Sequence, residues 1–266
     1  MRAEEVLRKL AEERPLVHHI TNYVTVNLVA NVTLSTGALP VMAHAIDEVA
    51  EMSAAASALV INIGTLDDSQ IESALLAGKS ANQNGRPVIL DPVGAGATSL
   101  RTRTAERLLT ELEISAVCGN AGEIATLAGL SAEVRGVESL AGDAEEATVQ
   151  AARALGVIVS ATGETDYVSD GTRTLAVENG HPLMGGIVGS GCASTAVVGC
   201  FAAVGGGDVE TVAGALAYFG RAGEIASAET DGPGTFEPRL LDALAGLAGD
   251  PSGLEGAVRL RQLYRG

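Results

Sequence analysis

The chain has 266 residues, 47% of them hydrophobic, with no Trp, few aromatics and a formal net charge of −16. That charge opposes binding to nucleic acid or to anionic membranes and leaves small molecules as the expected partners. The length accommodates one large α/β domain over residues 1–266, and three cysteines, Cys118, Cys192 and Cys200, do not make a disulfide framework.

The opening MRAEEVLRKLAEER predicts a charged amphipathic helix without an apolar signal core, and no later apolar run approaches a membrane span. A soluble protein of the reducing cytoplasm is expected. Lys9 and Lys79 are the only lysines, a composition that fits either adaptation to high salt or compositional drift. Leu16 to Ile20 predicts a short strand, after which Thr21-Asn22 opens an apolar helix over Tyr23 to Thr36, closed by Gly37.

A strand over Ala38 to Met42 follows. Helix then strand recur as DEVAEMSAAAS with ALVINIG, and as Asp67 to Asn84 with Pro87 to Asp91. The pattern continues with Ser99 to Leu112 before Ile114 to Asn120, and with Ala144 to Leu155 before Gly156 to Thr162. A hairpin turns at Asp170-Gly171, and helices are expected from there to the C-terminus, entered through the glycine-rich GGIVGSGC, Gly185 to Cys192. The alternation predicts a layered α/β domain with a largely parallel central sheet, an antiparallel edge and flanking helices.

Ligands of such sheets collect beyond the carboxyl ends of the strands, so the residues directly after each strand are the candidates. Asp91, ending a strand before Pro92 and the open backbone of GAGA, suits a hard cation. Glu123, at the start of a helix at another strand end, could join it directly or through water. Successive N–H groups of the glycine-rich turn, with the positive end of the following helix, suit a phosphate. Cys192 stands where turn becomes helix, a placement that lowers a thiol's pKa, and could serve as nucleophile, base or merely a small residue. Cys200 reads as core. His18, His19, His44 and His181 lack zinc-site spacing and read as structural. AGKS, Ala77 to Ser80, lacks the earlier glycine of a P-loop, GSGCAS lacks the third glycine and strand context of a dinucleotide fingerprint, and no GxSxG elbow exists.

VHHITNYVTVNLVANVTLSTGALPVM, INIGTL, LDPVGAGAT, GNAGEIATLAG, ATGETDYVSDG, NGHPLMGGIVGSGCASTAVV and GPGTF together resemble hydroxyethylthiazole kinase, in order and nearly end to end. The resemblance implies a ribokinase-like fold and ATP-dependent phosphorylation of the alcohol of 4-methyl-5-(2-hydroxyethyl)thiazole, a step of thiamine biosynthesis or salvage. It implies a thiazole pocket lined by Asn22 and Met42, with Gly64 and Thr65 reaching a neighbouring subunit's site in a homotrimer. Asp91 and Glu123 match magnesium-associated acids, while Asn120, Thr162 and Gly163 match nucleotide contacts. Gly189, Ser190 and Gly191 match the phosphate-cradling turn, with Gly189 also against the acceptor. Cys192 stands where wider ribokinase relatives carry the catalytic Asp.

Two departures bear on the nucleotide. Cys118 stands in the nucleotide site where the family usually has Arg before Gly-Asn, which removes an expected cation. GSGC replaces the usual GTGC but keeps a hydroxyl, and Val188 precedes it where Thr is common. Two further readings compete with the kinase. A dehydratase of hydrated nicotinamide cofactors shares the fold but is expected to carry Asp at the Cys192 position. A non-catalytic thiazole or nucleotide binder is opposed by the retained Asp91, Glu123 and glycine turn.

Overall fold

In the computed structural model, which describes residues 2–130, 140–228 and 230–263, Ala58–Asn62 (β3) is buried at all five positions. A strand shut off on both faces needs a layer of helices on each side. Its side chains divide by the two-residue repeat: Val60 enters one core and Leu59 and Ile61 the other. Parallel neighbours extend it in both directions. On one side lie β1 (Leu16–Ile20) and then β2 (Leu39–Val41), and on the other β4 (Val88–Asp91), β5 (Ala116–Asn120) and β6 (Ile158–Thr162). Beyond β6 the sheet turns antiparallel through β7 (Asp166–Ser169), β8 (Thr174–Val177) and β9 (Leu260–Leu263).

One layer is built from α1 (Ala3–Glu13), α2 (Val26–Ser35), α8 (Ser190–Gly205), α9 (Val209–Ala228) and α10 (Pro233–Gly249). The other is built from α3 (Val49–Ala55), α4 (Asp68–Gln83), α5 (Ser99–Glu111), α6 (Ala121–Leu127) and α7 (Leu140–Leu155). Among the described residues no helix is long and apolar enough to cross a membrane. His18 and His19 point to opposite layers: His18 bonds Ser53 of α3 at 2.8 Å, and His19 bonds Thr33 of α2 at 3.1 Å. Burial lowers both pKa values, that of His19 to about 3, so both are uncharged ties between sheet and helix.

The layered architecture and the antiparallel edge agree with the sequence reading, and three local expectations do not. The helix after β1 begins at Val26 rather than Tyr23, because Asn22 Oδ1 accepts the N–H groups of Val24 and Thr25, each at 3.0 Å, and holds a turn there. The last described element is a strand, β9, not a helix. Its pairing with β8 covers an edge that the hairpin alone would leave open. Helix α8 starts at Ser190, so Cys192 lies inside its first turn rather than before it.

Helix α8 is buried from Ala193 to Ala202 and crosses directly over β3. Gly199 sets that distance: a Cβ there would lie 2.3 Å from Val60 Cγ2. Gly199→Ala is therefore expected to destabilise the protein by about 1–3 kcal/mol, with Val60→Ala in the same chain recovering part of the loss. Urea unfolding of the single and double variants checks this, and equal losses in both would show that the contact carries no strain.

Candidate active site

Strand order reverses beside β1, whose neighbours β2 and β3 lie to either side. A crevice opens past the carboxyl ends of the strands at such a point. Asn22 follows β1, Asn62 ends β3 and Asp91 ends β4, and the three are joined in a line. Asn22 Nδ2 donates to Asn62 Oδ1 at 2.9 Å, and Asn62 Nδ2 donates to Asp91 Oδ2 at 2.7 Å. The two amides also reach the Cys192 thiol, at 3.5 Å from Asn22 and 3.2 Å from Asn62. Gly64 N donates to Asn62 Oδ1 at 3.0 Å, so both ends of the Asn62 amide are occupied.

A cavity of about 200 Å³ lies beside this line, and its lining includes Asp91, Cys118, Asn120, Glu123, Thr162, Gly189, Gly191 and Cys192. No Lys, Arg or His is among the residues that line it. Burial, and then the nearby charge of Glu123, push the Asp91 carboxyl up to about 7, while polar contacts from Thr195, Asn62 and Cys192 pull the other way. Glu123 is held by Gly94 N–H on Oε1 at 2.7 Å and Asn120 N–H on Oε2 at 2.8 Å, and Asn120 Oδ1 accepts the Glu123 N–H in return. It caps α6 and anchors the loop after β4 in one contact set.

Two carboxylates facing one pocket with no cationic side chain suit a small divalent ion that keeps several of its waters. A protein cage of three or more such ligands is absent among the described residues.

Helix α8 begins over this cavity. Gly189 takes φ +92° and a Cβ on it would meet Thr25 Cγ2 at 2.4 Å, so only glycine passes here. Ala193 N–H bonds the Gly189 carbonyl at 2.8 Å, which leaves the N–H groups of Ser190, Gly191 and Cys192 without an intrahelical acceptor. The expected lowering of the Cys192 pKa does not occur. Burial and then the Asp91 charge push its thiol upward, against polar contacts from Thr25, Asn62 and Asn22. Cys118 is buried in β5, and its thiol is raised further, first by burial and then by Asp91 and Asp166.

A second cleft, of about 870 Å³, shares Thr162 and Gly191 with the first and continues past Gly163, Ser190 and the loop between β8 and α8. Gly163 N donates to Asp166 at 2.9 Å, which closes the turn after β6; burial raises the Asp166 carboxyl to about 7.

Met42, Gly64 and Thr65 line neither cavity. Met42 follows β2 directly, and Gly64 and Thr65 lie just past β3. Thr65 Oγ1 accepts the Tyr23 N–H at 3.1 Å, and His44 bridges the Met42 carbonyl and Thr21 N–H at 3.1 and 3.0 Å. Sequence reasoning missed Asn62 and Arg101. Arg101 supports the site from below, donating to the carbonyls of Val93 at 2.8 Å and Gly64 at 2.7 Å. A polar residue closing the apolar run ALVIN was the available signal for Asn62; Arg101 had none.

The model of the hydroxyethylthiazole kinase family matches residues 7–250. A hydroxyethylthiazole kinase of Rubrobacter xylanophilus is 73% identical over 98% of both chains. The solved structure of a hydroxyethylthiazole kinase protein from Pyrococcus horikoshii OT3 superposes with a TM-score of 0.91 at 42% identity, covering 98% of this chain and 99% of that one. A ribokinase-like superfamily protein of Enterococcus faecalis shares the fold alone, at a TM-score of 0.65 and 14% identity over 92% and 94% of the two chains. The chain has a ribokinase-like fold and belongs to the hydroxyethylthiazole kinase family.

Proposed function

We propose that this protein, a single domain over residues 1–266, phosphorylates the hydroxyl of 4-methyl-5-(2-hydroxyethyl)thiazole with ATP and Mg²⁺ in the cytoplasm, serving thiamine biosynthesis or salvage. The observation that carries the reading is the meeting of Asp91, Glu123 and the first turn of α8 around one small pocket that shares Thr162 and Gly191 with a larger cleft. The larger cleft suits the nucleotide, with Thr162 and Gly163 beside it and Asn120 near the phosphates. Asp91 and Glu123 would hold the ion. When bound, Mg²⁺ offsets negative charge on the phosphates, which the pocket's own side chains do not do.

The chain's residues supply position and dipoles. N–H groups of Ser190, Gly191 and Cys192 face the charge that develops on the transferring group. The acceptor oxygen forms a bond to the γ-phosphorus as the bond to the bridging oxygen breaks, ADP leaves with that oxygen, and the hydroxyl proton is released to solvent. Asn22 and Cys192 orient that hydroxyl. Because the transition state is loose and the Cys192 thiol is pushed upward, Cys192 positions the hydroxyl rather than taking its proton.

Asn22 and Met42 are the residues for the thiazole ring, and Gly64 and Thr65, on the lip formed by the loops after β2 and β3, reach a neighbouring subunit's site in a homotrimer. Support for this comes from Tyr23 and Val24, 63% and 69% exposed beside the same lip, a large apolar surface for an isolated chain to leave in water. The free thiols of Cys118, Cys192 and Cys200 support a reducing compartment.

Incubation with ATP, Mg²⁺ and the thiazole alcohol is expected to yield the phosphorylated alcohol by mass spectrometry, and no product at any salt concentration sinks the reading. Asp91→Ala should lower kcat by roughly a hundredfold or more, and Cys192→Ala by about tenfold or less. The reverse order would make the thiol a true base. Cys118→Arg should tighten nucleotide binding by about three- to tenfold, measured by calorimetry, since the new cation faces phosphates as well as Asp91 and Asp166.

The folded-state pKa of Asp91 lies above its unfolded value, so the contribution of this group to stability is fully present at low pH and is lost as pH rises from about 4 through about 7. Without divalent ions, Asp91→Asn should raise Tm by about 4 °C at about pH 8 and by much less near pH 5. A gain independent of pH would show that the carboxyl ionises normally.

A further inference from the structure

One wall of the larger cleft is the stretch Glu178 to His181, which follows β8 and belongs to no helix or strand. Backbone of this kind needs external partners to stay in place. Glu224, on the last turns of α9, supplies them. Its Oε1 accepts from Asn179 Nδ2 and from Gly180 N, both at 3.1 Å, and from Arg259 Nη2 at 2.7 Å. Its Oε2 accepts from Arg221 Nη1 at 3.1 Å. Burial alone would raise this carboxyl, but Arg259, Gly180, Arg221 and Asn179 together hold it below the usual carboxylate range, so it stays ionised.

Asn179 is also tied to the chain just before β9. Its Nδ2 donates to the Ala257 carbonyl at 2.9 Å and its Oδ1 accepts the Arg259 N–H at 2.7 Å. Glu178 N–H bonds the Arg259 carbonyl at 3.0 Å, the Arg259 guanidinium bonds the Glu178 carbonyl, and Arg261 Nε bonds the Glu178 carboxylate at 3.0 Å. On the opposite side α9 presses close: a Cβ on Gly220 would lie 2.4 Å from the Asn179 carbonyl oxygen. The wall is fixed between α9 and a strap of residues 257–263, and that strap lies past residues 7–250 matched by the family model.

We propose that Glu224 and Arg259 are positioning residues for the nucleotide, with the strap they clamp setting the Glu178 to His181 wall of the larger cleft. This rests on reading that cleft as the nucleotide site. Neither side chain lines the cleft, and Arg259 is half exposed, so its removal leaves the core intact while freeing the wall.

The test uses the full chain carrying Arg259→Ala or Glu224→Gln, with steady-state kinetics and calorimetric binding of a non-hydrolysable ATP analogue. Expected are a rise of about five- to twentyfold in KM for ATP and in Kd for the analogue, with kcat at saturating ATP and KM for the thiazole alcohol within about twofold. Arg259→Lys should recover much of the affinity. An unchanged KM for ATP overturns the proposal, as does a matched decline of every constant together with Tm, which marks a role in stability alone.

Gly185→Phe separates the two layers of the argument, since Gly185 lines the cleft with open space where a side chain would grow. If Gly185→Phe leaves analogue binding untouched, the cleft is not the nucleotide site. If it weakens binding while the Glu224 and Arg259 variants do not, the strap alone is refuted.

Discussion

The carboxyl group of Asp91 is shut away from water at the end of β4, and it faces a second acid across a pocket with no cationic lining. An arrangement of that kind costs stability, since burial and like charge both oppose ionisation. The surrounding structure holds it in place. Asn62 donates to it from β3, Glu123 is fastened by two backbone N–H groups, and two apolar cores on either face of the sheet offset the cost. An amide at this position would carry no such cost, so the acid is a group the fold supports at the expense of its own stability.

The topology explains why these groups meet. Parallel strands all end on the same edge, so Asn22, Asn62, Asp91, Asn120 and Thr162 arrive from different parts of the chain at one rim. Helix α8 then serves two purposes. Its middle is core, seated on β3 at Gly199, and its first turn overhangs the pocket. A rigid seat at one end fixes the aim of the N–H groups at the other, which is how a remote packing contact governs the geometry of a site.

Much of this was readable from the residues. The strand ends are marked by long apolar runs stopping at polar or glycine residues, which makes Asp91, Asn120, Thr162 and the glycine turn legible as rim residues from the sequence. What escaped depended on partners distant in sequence. Asn62 sits between Ile61 and Ile63 and looks like core until its two neighbours across the sheet edge are placed. Strand β9, LRQL, is too short and lacks the β-branched or alternating pattern to read as a strand, and it is one because β8 offers it an open edge. The direction of the Cys192 pKa escaped as well, because the helix end can be inferred from spacing, whereas the burial of the thiol and the acid beside it cannot.

The pocket's lack of cationic side chains has a kinetic consequence. Most phosphate sites gather their ligands by long-range attraction, and added salt slows capture by screening it. Here a polyanion approaching a chain of net charge −16 meets a pocket with no cationic lining and only backbone dipoles to receive it. The long-range field repels, and salt weakens that repulsion. Encounter with a phosphorylated ligand therefore quickens as ionic strength rises, so an acidic surface that hinders capture in dilute buffer becomes harmless in a concentrated one.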